Sequence, residues 1–202
     1  VADILKVAIY KGEGEKAFFE DDFSNPSISY PSEAAGEEKW HVNCRYDKTE
    51  LYIAPIGEML LCGKDFILYS ENVLKRFEKI DELYTLSVEF KISSADKGDK
   101  FGFGLGLTHG EEAADRVNFI GAEKRGNGEY LFSLVKKGNV LERSDAVFNL
   151  KEGEIYKLTL SAYADSRVKV AIGENEFTFY TVETDGLCAV ASGGGANAEF
   201  SA

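Results

Sequence analysis

The feature that most constrains the fold of this chain is a two-residue period. In Tyr84-Thr-Leu-Ser-Val-Glu-Phe-Lys-Ile92 every even position is apolar or aromatic and every odd position is polar. That pattern describes a strand with one face on a core and one in water. Phe101-Gly-Phe-Gly-Leu-Gly-Leu107 alternates as strictly, but its second face carries only Gly102, Gly104 and Gly106. Glycine weakens a strand unless something must approach its backbone closely.

The same patterning predicts strands at Val117–Glu123, Tyr130–Lys136, Ile155–Ala162, Arg167–Ile172, Phe177–Val182 and Leu187–Ser192. Earlier ones are predicted at Ile4–Ile9, Trp40–Cys44, Leu51–Ala54 and Phe66–Tyr69. Turn residues separate the later strands, at Ser93–Lys100, Gly126-Asn127-Gly128, Lys137-Gly138-Asn139, Ala164-Asp165-Ser166, Gly173-Glu174-Asn175 and Thr184-Asp185-Gly186. About a dozen short strands at this spacing predict an all-β fold, a two-sheet antiparallel β-sandwich of the jelly-roll kind with at most one or two short helices. The competing segment is 71–82, where Val73, Phe77 and Ile80 fall at helical spacing. A short strand Val73–Phe77 is the preferred reading there, and a single helical turn is expected at Glu111–Asp115.

A chain of 202 residues fits one such domain, residues 1–202. Burying roughly 70% of the unfolded surface, it needs neither disulfides nor a structural metal. The three cysteines, Cys44, Cys62 and Cys188, are odd in number and widely spaced, and are read as buried free thiols. Because position 1 is Val and Met59 is the only methionine, the domain is expected to be a fragment of a larger protein. A net charge of -12 repels polyphosphate and anionic lipid, which excludes nucleic acid and a membrane surface as partners. No window approaches 18 consecutive apolar residues, so a soluble domain is expected. Free cysteines fit a cytoplasmic location, whereas modules of this kind are often secreted, and the compartment stays open.

Catalytic motifs are sparse. A retaining glucanase needs two carboxylates about 5 Å apart, and E-x-D-x-x-E on a strand supplies them. Here Glu183-Thr-Asp185-Gly-Leu-Cys188 lacks the second glutamate. Only His41 and His109 are present, so neither a histidine-rich metal site nor, without one of these two, a nucleophile–histidine–acid triad can be assembled. Gly193-Gly-Gly-Ala-Asn-Ala198 has dinucleotide-loop spacing but no room for a helix before Ala202. Asp21 and Asp22, consecutive carboxylates in Glu20-Asp-Asp-Phe23, are a candidate calcium site. Asp96-Lys-Gly-Asp99 is read as a turn. The polar strand positions Glu89, Lys91, Asn118, Lys124, Arg125, Ser133, Thr159 and Ser161 are candidates to line a groove, with Trp40, Tyr130 and Tyr163 as stacking aromatics.

Three stretches together resemble the concanavalin A-like lectin/glucanase superfamily. Phe18-Phe-Glu-Asp-Asp-Phe23 resembles its opening strand. Leu83–Ile92 followed by Phe101–Leu107 resembles its paired central strands, and Gly186–Phe200, ending Gly-Gly-Ala-Asn-Ala-Glu-Phe, resembles its closing strand. The pattern is similar to laminin-G-like and 3-keto-disaccharide hydrolase-like domains, in which an acidic residue often follows the closing phenylalanine and helps bind calcium. Ser201 stands at that place here.

The resemblance implies a carbohydrate or sugar derivative as ligand. The missing carboxylates favour a non-catalytic carbohydrate-binding or accessory module of a larger, glycoside hydrolase-like enzyme, with no catalytic residue and with Trp40, Glu89, Lys91, Asn118, Arg125 and Tyr163 as ligand contacts. One alternative is a hydrolase acting on a sugar derivative with Glu89 as its acid or base. Another is an interaction domain that packs against the rest of its own parent chain.

Overall fold

The structure is a computed structural model that describes residues 2–12, 16–17, 19–23, 40–44, 50–54, 58–62, 66–70, 83–92, 95–107, 118–136, 139–180, 182 and 187–193. Segment 71–82, the expected turn Glu111–Asp115, His109, Glu183, Asp185 and the end of the closing motif lie outside the described residues. The described strands are β1 (Ala2–Lys11), β2 (Phe19–Asp21), β3 (Trp40–Cys44), β4 (Glu50–Ala54), β5 (Glu58–Cys62), β6 (Phe66–Ser70), β7 (Tyr84–Ile92) and β8 (Lys100–Leu107). They continue with β9 (Asn118–Gly126), β10 (Glu129–Lys136), β11 (Asn139–Arg143), β12 (Phe148–Asn149), β13 (Ile155–Ala162), β14 (Val168–Ile172), β15 (Asn175–Phe179) and β16 (Leu187–Gly193). No helix occurs among the described residues.

The strands form two antiparallel sheets. Sheet A runs β15-β14-β13-β7-β1-β5-β4, with β2 also on β1, and sheet B runs β11-β10-β9-β8-β16-β6-β3, with β12 also on β10. The period-two strand β7 lies mid-sheet between β1 and β13, and its even residues Leu86, Val88, Phe90 and Ile92 are buried in one core cluster. Phe101 and Phe103 of β8, Ile120 and Ala122 of β9, and Tyr130, Phe132 and Leu134 of β10 supply that cluster from sheet B. Ring contacts join the sheets: the Phe90 and Phe101 centroids are 4.5 Å apart. Each such buried side chain contributes roughly 1.5–3 kcal/mol of transfer free energy, which is what drives the two sheets together.

Turn chemistry sets the registers. Asn127 and Gly128 both have positive φ, 48° and 78°, the combination that matches the twist of a two-residue hairpin between β9 and β10. Gly173, with φ 59°, opens the β14–β15 turn.

Three strands, β5, β11 and β12, go beyond the sequence expectation. Residues 139–143 read Asn-Val-Leu-Glu-Arg, with no alternation. The structure explains this: β11 lies at the end of the described strand order of sheet B, and four of its five side chains are exposed. Strand β10 departs in the opposite sense, because residues 130–135 are buried on both faces. Leu131, Ser133 and Val135 alternate with the core residues and are buried on the side away from sheet A. Tyr130-Leu-Phe-Ser-Leu-Val135 is correspondingly almost unbroken in apolar character.

The glycine face of β8 meets another backbone. Gly102 pairs with Gly121 of β9. A Cβ on Gly102 would lie 2.7 Å from the Gly121 Cα and still closer to the Ile120 carbonyl oxygen. At Gly102 the element that comes close is therefore the neighbouring strand β9.

Candidate functional site

Alternation gives each sheet an outer face, and the polar residues divide between the two. On sheet A the outward row Lys6–Glu89–Lys157 runs across β1, β7 and β13. Beside it lie Ala8–Ser87–Thr159 and then Tyr10–Thr85–Ser161, the last two joined by a 3.2 Å hydroxyl–hydroxyl hydrogen bond. The second row continues through Ala171 to Glu176, and the third through Lys169 to Thr178. The Lys157 ammonium is 5.9 Å from the Tyr10 ring centroid. Since Lys157 starts in the Glu89 row and Tyr10 in the Thr85 row, the pair crosses the Ser87 row, and Ser87 is buried beneath it. Lys6 also bonds Glu20 at 2.9 Å, and that hydrogen bond, with Glu89 adding to it, holds the ammonium above its usual value. Glu89 thus sits between two lysines in a half-exposed face rich in hydroxyls.

On sheet B the outer face is built differently. Leu131–Glu123–Lys100 form one row across β10, β9 and β8, and Ser133–Gly121–Gly102 form the next. Glu123, Lys100 and Ser133 are all buried. The Glu123 carboxylate accepts from Arg143 twice, Nε to Oε2 and Nη2 to Oε1, both at 3.0 Å, and from Arg125 Nη1 to Oε1 at 3.4 Å. Arg143 stands opposite Ser133 on β11. Its side chain therefore crosses β10, at the level of Ser133, to reach Glu123; the Ser133 hydroxyl has no hydrogen-bond partner among the described residues.

The structure places the sequence candidates as follows. Glu89 and Lys91 are on sheet A, with Thr159 and Ser161 on the neighbouring strand. Arg125 is the penultimate residue of β9 in sheet B, Asn118 begins that strand, and Trp40 begins β3, where it pairs with Ser70. Glu89 and Arg125 therefore face opposite sides of the sandwich, and the set does not line a single groove. Tyr163 leads from β13 into the turn before β14, and the Arg167 guanidinium lies 4.6 Å from its ring centroid while bonding Asp165 at 2.7 Å. One ring face of Tyr163 is thus covered by the domain's own arginine. Tyr130 belongs to the core, where burial first, and then the nearby Glu152 and Asp99, push its phenol up to about 12.

Asp21 is buried, and its Oδ1 accepts the Phe23 backbone N–H at 2.7 Å. That local bond accompanies a positive φ of 59° at Phe23, which delivers the ring into the core. Asp22 is exposed. Among the described residues no three His, Cys, Asp or Glu side chains gather as a metal-binding group. Lys124 fills the space beside the Asp96–Asp99 turn, donating from its ammonium to the Ala95 carbonyl and pairing with Glu152 at 3.6 Å.

Sequence reasoning missed Glu123, Arg143 and Lys100. The available signal was the charge pattern of Glu123-Lys-Arg125, two outward charges of opposite sign on one strand. Nothing local announced that Arg143, twenty positions on, would complete the cluster.

No family model matches the chain, and no curated protein matches it. Among solved structures, the fold is similar to a crystal structure of a protein of unknown function from Shewanella oneidensis MR-1, with a TM-score of 0.51 and 14% sequence identity. The match covers 96% of this chain and 82% of that one. At that identity the likeness concerns the fold alone.

Proposed function

We propose that this domain is a non-catalytic carbohydrate-binding or accessory module of a larger, glycoside hydrolase-like enzyme, and that the outer face of sheet A is its saccharide surface. The observation that carries this reading is the half-exposed row system around Glu89: hydroxyls of Thr85, Thr159 and Ser161, the carboxylate between two ammoniums, and the Tyr10 ring beside them. Sugars are held by such directed donors and acceptors next to an aromatic plate. A binding rather than hydrolytic role is favoured because Glu89 and Glu123 face opposite sides of the sandwich and cannot flank one glycosidic bond. In addition, both oxygens of Glu123 are engaged by arginine.

A neutral-glycan array followed by calorimetry tests the reading. Binding should weaken about tenfold or more in Tyr10→Ala, while the melting temperature stays within a few degrees. Absence of binding to every neutral saccharide at about 10 mM would overturn it. The alternative, a sugar-derivative hydrolase using Glu89, requires turnover that Glu89→Gln abolishes.

A further inference from the structure

The arginines of sheet B are more numerous than their carboxylate requires. Glu123 is buried, with 4% of its side chain exposed, so it needs a charged partner to offset its lost hydration. Arg143 meets that need alone, because its fork reaches both carboxylate oxygens at 3.0 Å. Arg125 adds a single contact at 3.4 Å. A guanidinium carries five N–H donors, and among the described residues Arg125 uses one of them, Nη1, on Glu123.

Both arginines remain accessible, with side chains 43% and 39% exposed for Arg125 and Arg143. Two arginines on Glu123, with the buried Lys100 beside it in the same row, leave a local positive surplus in a chain whose net charge is -12. Backbone irregularities flank the spot. Arg125 is the extra residue of a bulge between β9 and β10, and Leu141 that of a bulge between β10 and β11, two residues before Arg143. Bulges re-aim side chains at the rim of a sheet. Val140 and Leu141 are exposed on the same edge strand as Arg143 and add an apolar surface beside its charge.

We propose that Arg125 and Arg143, held by Glu123, form a binding site for the carboxylate of an acidic saccharide, distinct from the neutral-sugar surface on sheet A. Glu123 fixes the guanidiniums at the rim, so a ligand carboxylate meets donors already in place, and planar pairing favours carboxylate over a hydroxyl. Val140 and Leu141 add an apolar contact beside the charge. The choice of a saccharide over an acidic peptide rests on the reading above, and triglutamate tests it. The inference shares only the ligand class with the reading above.

The test is calorimetry on the full chain with trisaccharides of galacturonate, glucuronate and mannuronate, their neutral methyl esters, acetate and triglutamate. At least one uronate trisaccharide should bind, its ester about tenfold or more weaker. Arg125→Gln should weaken the acid about tenfold to hundredfold, with affinity falling as salt rises. Arg125→Gln removes only a long, part-buried contact while Arg143 keeps both carboxylate oxygens, so an unchanged melting curve separates lost binding from lost folding. The proposal is overturned if no uronate trisaccharide binds, if the esters bind equally well, if acetate or triglutamate binds as tightly, or if Arg125→Gln has no effect. Neutral-sugar binding lost in Tyr10→Ala reads the sheet A surface independently, so either conclusion can fail without the other.

Discussion

Replacing Gly121 by alanine should separate two strands that the fold requires to touch. The new Cβ would lie 2.6 Å from the Gly102 Cα and closer still to the Phe101 carbonyl oxygen, both backbone atoms that cannot rotate away. Carbon atoms in contact sit about 3.5–4.0 Å apart, so β8 and β9 must part by roughly 1 Å. That displacement weakens two or three ladder hydrogen bonds around the Phe101–Ala122 and Phe103–Ile120 pairs, at about 1 kcal/mol each. It also strains the packing of Phe103 and Ile120, both fully buried, by about 1–3 kcal/mol. A loss of about 3–6 kcal/mol follows. Gly173→Ala is the control, because nothing lies within 4 Å of its Cβ and only the positive φ of 59° is penalised, by about 1–2 kcal/mol. Urea unfolding followed by circular dichroism measures both, and with a slope of about 2–3 kcal/mol/M for a chain of this size the Gly121→Ala midpoint should fall by about 1–3 M. A Gly121→Ala loss no larger than that of Gly173→Ala, at unchanged slope, would refute the close-approach account.

Two further outcomes follow from buried polar groups. Ser133→Ala removes a fully buried hydroxyl that has no partner among the described residues, so the variant should be more stable by about 1 kcal/mol in the same urea assay; a loss of that size would mean the hydroxyl is bonded. The Tyr130 phenol, pushed up to about 12 mainly by burial, stays protonated in the folded chain while an unfolded tyrosine ionises near 10. Its contribution, on the order of 2–3 kcal/mol, is therefore complete below pH 10 and is lost as pH rises through about 12. Tyr130→Phe should flatten the stability–pH curve in that window relative to the parent chain, and identical slopes would contradict the assignment.

Much of the sandwich was legible in the residue pattern. Strand β7 is bounded by the same residues, Tyr84 and Ile92, that its alternation marks. Strands β3 and β13 likewise match their expected bounds. Edge strand β11 was not legible, because its side chains meet little of the core and leave no periodic trace. The candidate site was legible only in part. Glu89, Thr159 and Ser161, read as one polar face, lie on neighbouring strands of sheet A. Arg125 and Asn118 were grouped with them although they belong to sheet B, because period two assigns a residue to a polar face without saying of which sheet.

Local chemistry was thus enough to make this chain an antiparallel two-sheet sandwich, because alternation, positive-φ turn residues and total apolar content act over a few positions at a time. Partnership between distant residues was left to the tertiary structure. Pairing β8 with β9 turned two separate glycines into one close crossing, and pairing β10 with β9 and β11 brought Arg143 over Ser133 to Glu123. Strand order sets those contacts, and strand order is chosen by the joint burial of both sheets, which no single segment carries.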